Sequence, residues 1–211
     1  MIRVIPAILA KSKEKFLGKL ELVRDFAPEI QMDVMDGQFV GNATWADTEE
    51  IAKMSLPAYE VHLMVRNPKA MVPIWAKAGA RRIIFHFEAA PDALEVIREI
   101  KSFGCEAGIA INPETQIELI ADLLGELDVV LVMGVEPGWS GQELEESTVQ
   151  KVAELRKNNS KISIEVDGGV SLANAARLAH AGATGLVAAS AIFSDPSPKS
   201  AYESLLKKAN E

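Results

Sequence analysis

The chain has little of what would tie a protein to an oxidising compartment, a membrane or a nucleic acid. A single cysteine, Cys105, among 211 residues cannot close an internal disulfide, which removes the disulfide-stapled secreted classes. No apolar run approaches the roughly eighteen residues needed to span a bilayer. The one early apolar stretch, Val4 to Ala10 behind Arg3, is short and runs at once into Lys11, Lys13 and Lys15, so it reads as a buried first strand rather than a signal peptide. Basic residues number 22 against 30 acidic, for a net charge of -8, and no basic tract is long enough to follow a phosphate backbone. Neither nucleic acid nor membrane is an expected partner, and the expected location is the cytoplasm. No Pro/Gly/Ser-rich linker or composition shift divides the chain.

What is present is a hydrophobic content of 48% against 25% charged residues, the balance of a globular protein with a substantial core. Short apolar runs alternate with amphipathic, helix-favouring segments from end to end, the pattern of repeated βα units and a parallel sheet. Strands are expected at Val4 to Leu9, Ile30 to Met35, Tyr59 to Val65, Arg82 to Phe85, Glu106 to Ile111, Val129 to Met133, Ile162 to Val166 and Gly185 to Ala188. Helices are expected at Lys13 to Asp25, Pro91 to Ser102, Thr115 to Leu124, Ser147 to Asn158, Ser171 to Ala181 with a serine cap, and Pro196 to Lys208. Eight strands with no GxGxxG turn favour closure over an open doubly wound sheet. The expected fold is α/β, a single (β/α)8 barrel of eight parallel strands forming one domain over 1–211. Such barrels typically run to roughly 250 residues, so the loops must be short.

Alternate residues of a strand face opposite sides. Gln31, Asp33 and Met35 therefore share one face, as do Glu60, His62 and Met64, and as do Glu165 and Asp167. The intervening positions are apolar and suit the helix-covered outside, so the polar faces must look into the barrel. Inward carboxylates are costly unless paired or bound to a metal. Asp33, His62 and Asp167 supply one imidazole and two carboxylates from three strands, a reasonable set for a divalent metal, although a lone barrel histidine is more often structural. Glu60 and Glu165 lie one layer deeper and read as structural. So do His86, which ends a strand, and His180, on a helix surface.

The chain contains, in order, PAIL, MDVMDGQFVGN, VHLMV, FHFEA, EPGWSGQ, IEVDGGV and ASAIF. Together these resemble the ribulose-phosphate 3-epimerase family, over Pro6 to Phe193. The resemblance implies a barrel enzyme in which Asp33 and Asp167 exchange the carbon 3 proton of D-ribulose 5-phosphate and D-xylulose 5-phosphate from opposite faces. It implies a divalent metal, zinc, manganese or iron, held by Asp33, His62, Asp167 and the residue at 31, here Gln31. It implies that Met35, Met64 and Met133 line the reacting site. The substrate phosphate would rest on backbone N–H groups of Gly138, Gly141, Gly168, Gly169, Ala189 and Ser190, with no lysine or arginine in these motifs. A homo-oligomer is expected.

Several positions depart from the family pattern. Ala7 stands for serine, Gln31 for a metal-binding histidine, Gln38 for another histidine, Ala189 for glycine, and Glu136 for asparagine. An amide oxygen is a weaker ligand than imidazole for zinc-like metals, and a carboxylate near a phosphate loop repels its ligand unless it points away. These changes keep two alternatives open: a 3-epimerase for a related ketose such as a hexulose 6-phosphate, and a non-catalytic sugar-phosphate-binding barrel. A decarboxylase of the same superfamily would carry a DxKxxD pattern, but Met35 and Gln38 stand where its lysine and second aspartate would fall.

Overall fold

The computed structural model describes residues 1–211. Eight strands pair in sequence order, all parallel, and the eighth closes on the first. They are β1 (Arg3–Ile8), β2 (Glu29–Met35), β3 (Ala58–Met64), β4 (Arg82–His86), β5 (Glu106–Ile111), β6 (Val129–Met133), β7 (Ser163–Asp167) and β8 (Gly185–Ala188). Helices α1 (Lys13–Val23), α2 (Thr48–Ile51), α3 (Pro68–Ala78), α4 (Ala93–Ser102), α5 (Ser147–Asn158), α6 (Ala175–Ala181), α7 (Ser190–Phe193) and α8 (Pro198–Ala209) fill the crossovers. The helices cover the outer face of the sheet. Strand residues of that face, among them Ile30, Val61, Leu63, Ile83 and Val166, merge with helix residues such as Trp75, Ile97 and Leu155 into one buried apolar layer.

The inner face is different. Its apolar part is a separate cluster of Ile5, Ala7, Ile84, Ala110, Val129, Leu131, Met133 and Val187, and the rest of the lumen is polar. At the N-terminal end of the barrel, Arg82 Nη1 reaches Glu60 Oε2 and Glu165 Oε1, each at 2.7 Å, while its Nη2 meets Glu106 Oε2 at 2.6 Å. Arg3 Nη2 adds a second contact to Glu165 at 2.5 Å. Glu60 and Glu165 are thus structural acids, tied to guanidinium groups across the lumen. Such planar forks suit a site where two carboxylates must share one cation.

Two helix expectations change. Ser171 does not cap a helix; its N–H is taken by Asn174 Oδ1 at 2.9 Å, forming a turn, and α6 starts only at Ala175. The segment expected as a helix over Thr115 to Leu124 winds as a tighter 3-10 helix over Ile117–Leu123. The tighter winding follows a loop whose carbonyls at Asn112, Pro113 and Thr115 are all drawn onto the Lys151 ammonium.

Replacing Arg82 by leucine would leave Glu60 and Glu165, which are 1% and 0% exposed, without their shared cation. Breaking a buried pair from one side costs about 3–5 kcal/mol. A chemical denaturation curve of the Arg82→Leu variant should show a loss of that order, and an unchanged midpoint would show that Arg82 does not hold the two acids.

Candidate active site

At the C-terminal end of the barrel the strand register brings the chemistry-bearing side chains together. Asp33 on β2 lies opposite His62 on β3, Met35 opposite Met64, and Met133 on β6 opposite Asp167 at the end of β7. His62 Nδ1 is 3.4 Å from Asp33 Oδ1 and 3.3 Å from Asp167 Oδ2. One donor atom from each of the three falls within 4.8 Å of the others. Gln31, fully buried beneath them, donates from Nε2 to Asp33 Oδ1 at 2.8 Å and to Asp167 Oδ2 at 2.7 Å.

Burial lowers the basicity of the His62 imidazole, but the carboxylates of Asp167 and Asp33 outweigh it and hold the ring up at about 9. Burial pushes the Asp167 carboxyl up, against the pull of His62. Behind His62 stands His86, whose ring burial drives down to about 4 despite a bond to Glu88. With His62 protonated and His86 neutral, the His62 Nε2–H donates to His86 Nε2 at 2.9 Å, and the His86 Nδ1–H donates to Glu88 Oε2 at 3.3 Å. Glu88 also accepts from the Asn112 N–H at 2.9 Å and from the Thr115 hydroxyl. These bonds and the His86 ring outweigh burial and hold its carboxyl at about 2. By sequence His86 reads as an ordinary strand-end histidine, yet in the structure it sets the orientation of His62. A signal for this exists in the chain: His86 shares the inward parity of Arg82 and Ile84, and Glu88 follows two residues later.

A cleft opens over the triad. Asp33, His62, Asp167, Met35, Met64 and Met133 form its floor and walls, and Gly138, Gly141, Gly168, Gly169, Ala189 and Ser190 lie at its edge. Leu9, Val135, Pro137, Trp139, Ser140, Val170 and Val187 complete the lining; sequence reasoning does not single them out, because most are apolar and carry no chemical mark. Gly168 has φ +99, and a Cβ there would come within 2.4 Å of Val135 Cγ2; at Gly169, with φ +69, it would lie 2.3 Å from the Leu144 nitrogen. The loops after β6 and β7 therefore pack so closely that only glycine fits. No turn or loop hydrogen bond to a backbone carbonyl uses the N–H of Gly168, Gly169 or Ala189.

The sequence matches the ribulose-phosphate 3 epimerase family over residues 3–193. The chain belongs to that family. It is 35% identical over 213 residues to the ribulose-phosphate 3-epimerase of Bacillus subtilis (strain 168), covering 97% of this chain and 98% of that protein. It is 38% identical to the chloroplastic ribulose-5-phosphate-3-epimerase of Arabidopsis thaliana, over 91% of this chain and 72% of the relative. Among solved structures, KGPDC from Streptococcus mutans superposes with a TM-score of 0.77 at 12% identity, covering 99% of this chain and 97% of that one. A tryptophan synthase alpha-subunit from Pyrococcus furiosus gives 0.70 at 16% identity, covering 100% and 98%. At such identities the likeness to these two speaks of the barrel alone.

The positions that depart from the epimerase pattern are distributed unevenly. Ala7 is buried among the apolar residues of the lumen, and Ala189 lines the cleft. Gln38 is exposed, and its backbone N–H donates to Asp36 Oδ1 at 2.8 Å. Glu136 is exposed and outside the cleft lining. Two carboxylates and an imidazole nitrogen converging this closely fit a divalent ion. Gln31, expected as a fourth ligand through its oxygen, instead turns its NH2 group toward the carboxylates and leaves Oε1 without a partner. If His62 is a ligand, His62→Ala should weaken zinc affinity by at least about tenfold, the lower end of the range for losses at metal sites, in a competition titration against a chelating dye. Equal affinity would return His62 to a packing role.

Proposed function

We propose that this chain is a ribulose-phosphate 3-epimerase that interconverts D-ribulose 5-phosphate and D-xylulose 5-phosphate, with Asp33 and Asp167 as its two proton carriers. The observation that carries the reading is the convergence of these carboxylates, from β2 and β7, on one imidazole at the floor of a methionine-lined cleft, in a chain of this family. The relatives named above are ribulose-phosphate epimerases, which favours the pentulose phosphate over a hexulose 6-phosphate and catalysis over mere binding.

Epimerisation inverts carbon 3, next to the carbonyl. In one direction the ionised aspartate takes the carbon 3 proton, and the electron pair of the broken C–H bond moves into an enediolate. The other aspartate, protonated, then delivers its proton to the opposite face, and the roles exchange for the return. The apolar, polarizable walls of Met35, Met64 and Met133 exclude water that would otherwise quench the intermediate. His62, fixed through His86 and Glu88, keeps its Nδ1 aimed at the pair. Asp33, His62 and Asp167 would hold a divalent ion, zinc, manganese or iron, which when bound supplies Lewis-acid stabilisation of the substrate oxygens. Backbone N–H groups of Gly138, Gly141, Gly168, Gly169, Ala189 and Ser190 would receive the phosphate, a usual place for it in barrels of this kind.

The cytoplasmic location and the homo-oligomeric state belong to this reading through the family alone. No helix is long and apolar enough to cross a membrane.

Purified protein, supplied in turn with several divalent metals or none, should convert one pentulose phosphate into the other; inactivity under every condition would sink the proposal. Asp33→Asn and Asp167→Asn should each keep the fold by circular dichroism and lose at least about 10²-fold in turnover, since each removes a proton carrier. Near-parental turnover in either variant would refute the pairing.

A further inference from the structure

His62 Nε2 and His86 Nε2 face each other at 2.9 Å, and both residues are 0% exposed. A gap of that length between two ring nitrogens holds a single hydrogen: with none the lone pairs repel, and with two the hydrogens collide. The shared hydrogen therefore belongs to one ring or the other, and the choice decides what the far side of each ring can do. If it sits on His62, a neutral His62 leaves bare its Nδ1, the atom that faces Asp33 at 3.4 Å and Asp167 at 3.3 Å. If it sits on His86, a neutral His62 must carry its hydrogen on Nδ1, where it stands in the way of an ion. A divalent metal takes a bare ring nitrogen, and which nitrogen is bare is set by the bond the other one makes.

The choice is made at the other end of His86. Glu88 Oε2 lies 3.3 Å from His86 Nδ1, while Glu88 Oε1 accepts the Asn112 N–H at 2.9 Å and the Thr115 hydroxyl. A carboxylate with two donors already on one oxygen is an acceptor on the other, so the hydrogen of a neutral His86 stands on Nδ1 and its Nε2 can only accept. We propose that Glu88 is a positioning residue that, through His86, selects the Nε2–H form of His62 and so leaves Nδ1 as the nitrogen offered to a divalent ion. Orientation alone would not achieve this, because a correctly placed ring in the other tautomer points a hydrogen at the ion. Donors on the loop after β5 thereby set the hydrogen of a histidine on β3, two strands away. The role toward the ion rests on the reading of His62 as a metal ligand given above; the tautomer of His86 does not.

The chain has three histidines, so the ring nitrogens of protein labelled with 15N-histidine can be assigned one by one. In the metal-free parent, His86 should carry its hydrogen on Nδ1 and be bare on Nε2, and in the zinc complex His62 should carry its hydrogen on Nε2. A His86 hydrogen on Nε2 in the parent would overturn the proposal. In Glu88→Gln the amide oxygen can keep the Asn112 and Thr115 donors while its NH2 group turns to His86 Nδ1. The His86 hydrogen should then move to Nε2, and zinc affinity, measured by competition with a chelating dye, should fall about 10- to 100-fold, the scale of losing such support behind a ligand. A side chain that merely filled space would move neither hydrogen. An unmoved His86 hydrogen in this variant, or a moved one with zinc affinity unchanged, would overturn the proposal. Should circular dichroism show Glu88→Gln unfolded, the parent spectra decide alone. None of these measurements uses a sugar phosphate, so absence of epimerase turnover would sink the activity and leave the selection of the tautomer to stand or fall by the spectra.

Discussion

A charge pointed into a closed barrel has no water to fall back on, and every inward charge in this molecule is accordingly answered by a partner on another strand. Period-two alternation on β2, β3 and β7 sends Asp33, Glu60, His62, Glu165 and Asp167 into the lumen together. Sheet closure then forces them into two layers. In the deeper layer, Arg82 and Arg3 answer Glu60 and Glu165. In the upper layer, the protonated His62 and the Gln31 amide answer Asp33 and Asp167. The first layer keeps the barrel closed around charge; the second holds two carboxylates a short distance apart in a dry place, where an ordinary pair would repel.

That arrangement is supported from outside the lumen. Glu88 fixes His86, and His86 fixes His62, so the imidazole that faces the acids is oriented by bonds reaching to the loop after β5. Phe39, from the loop after β2, packs its ring against His86 at 4.8 Å between centroids, and Asn42 of the same loop donates to the Gly138 carbonyl at 3.0 Å. The loop that follows Asp33 thus touches both the histidine pair and the glycine-rich rim. Its contact with His86 bears on the imidazole that faces the acids.

Much of this was legible in the sequence because the strands alternate cleanly. All eight strands appear within a residue or two of their expected bounds, and the face shared by Gln31, Asp33 and Met35 follows from alternation alone. The partners of those residues were less legible, since they depend on cross-strand register. Arg82 opens β4 and looks, in one dimension, like a strand-edge surface residue; only closure places it between Glu60 and Glu165. The orientation of the Gln31 amide was opaque for a different reason. A glutamine offers either an acceptor or a donor, and which end faces the acids depends on the two carboxylates that flank it. Leu9 and Trp139 fall within the quoted motifs PAIL and EPGWSGQ, but nothing in those motifs assigns them a role, and their place in the cleft comes from the shape of the loops.

The central claim is that two carboxylates act on carbon 3 from opposite faces, and isotope exchange tests it without requiring complete turnover. In deuterated water, Asp33→Asn and Asp167→Asn should each still exchange the carbon 3 hydrogen of one pentulose phosphate epimer, through the aspartate that remains. The two variants should select opposite epimers. If both variants exchange the same epimer, or either one exchanges both, the acids do not divide the two faces between them and the account is wrong.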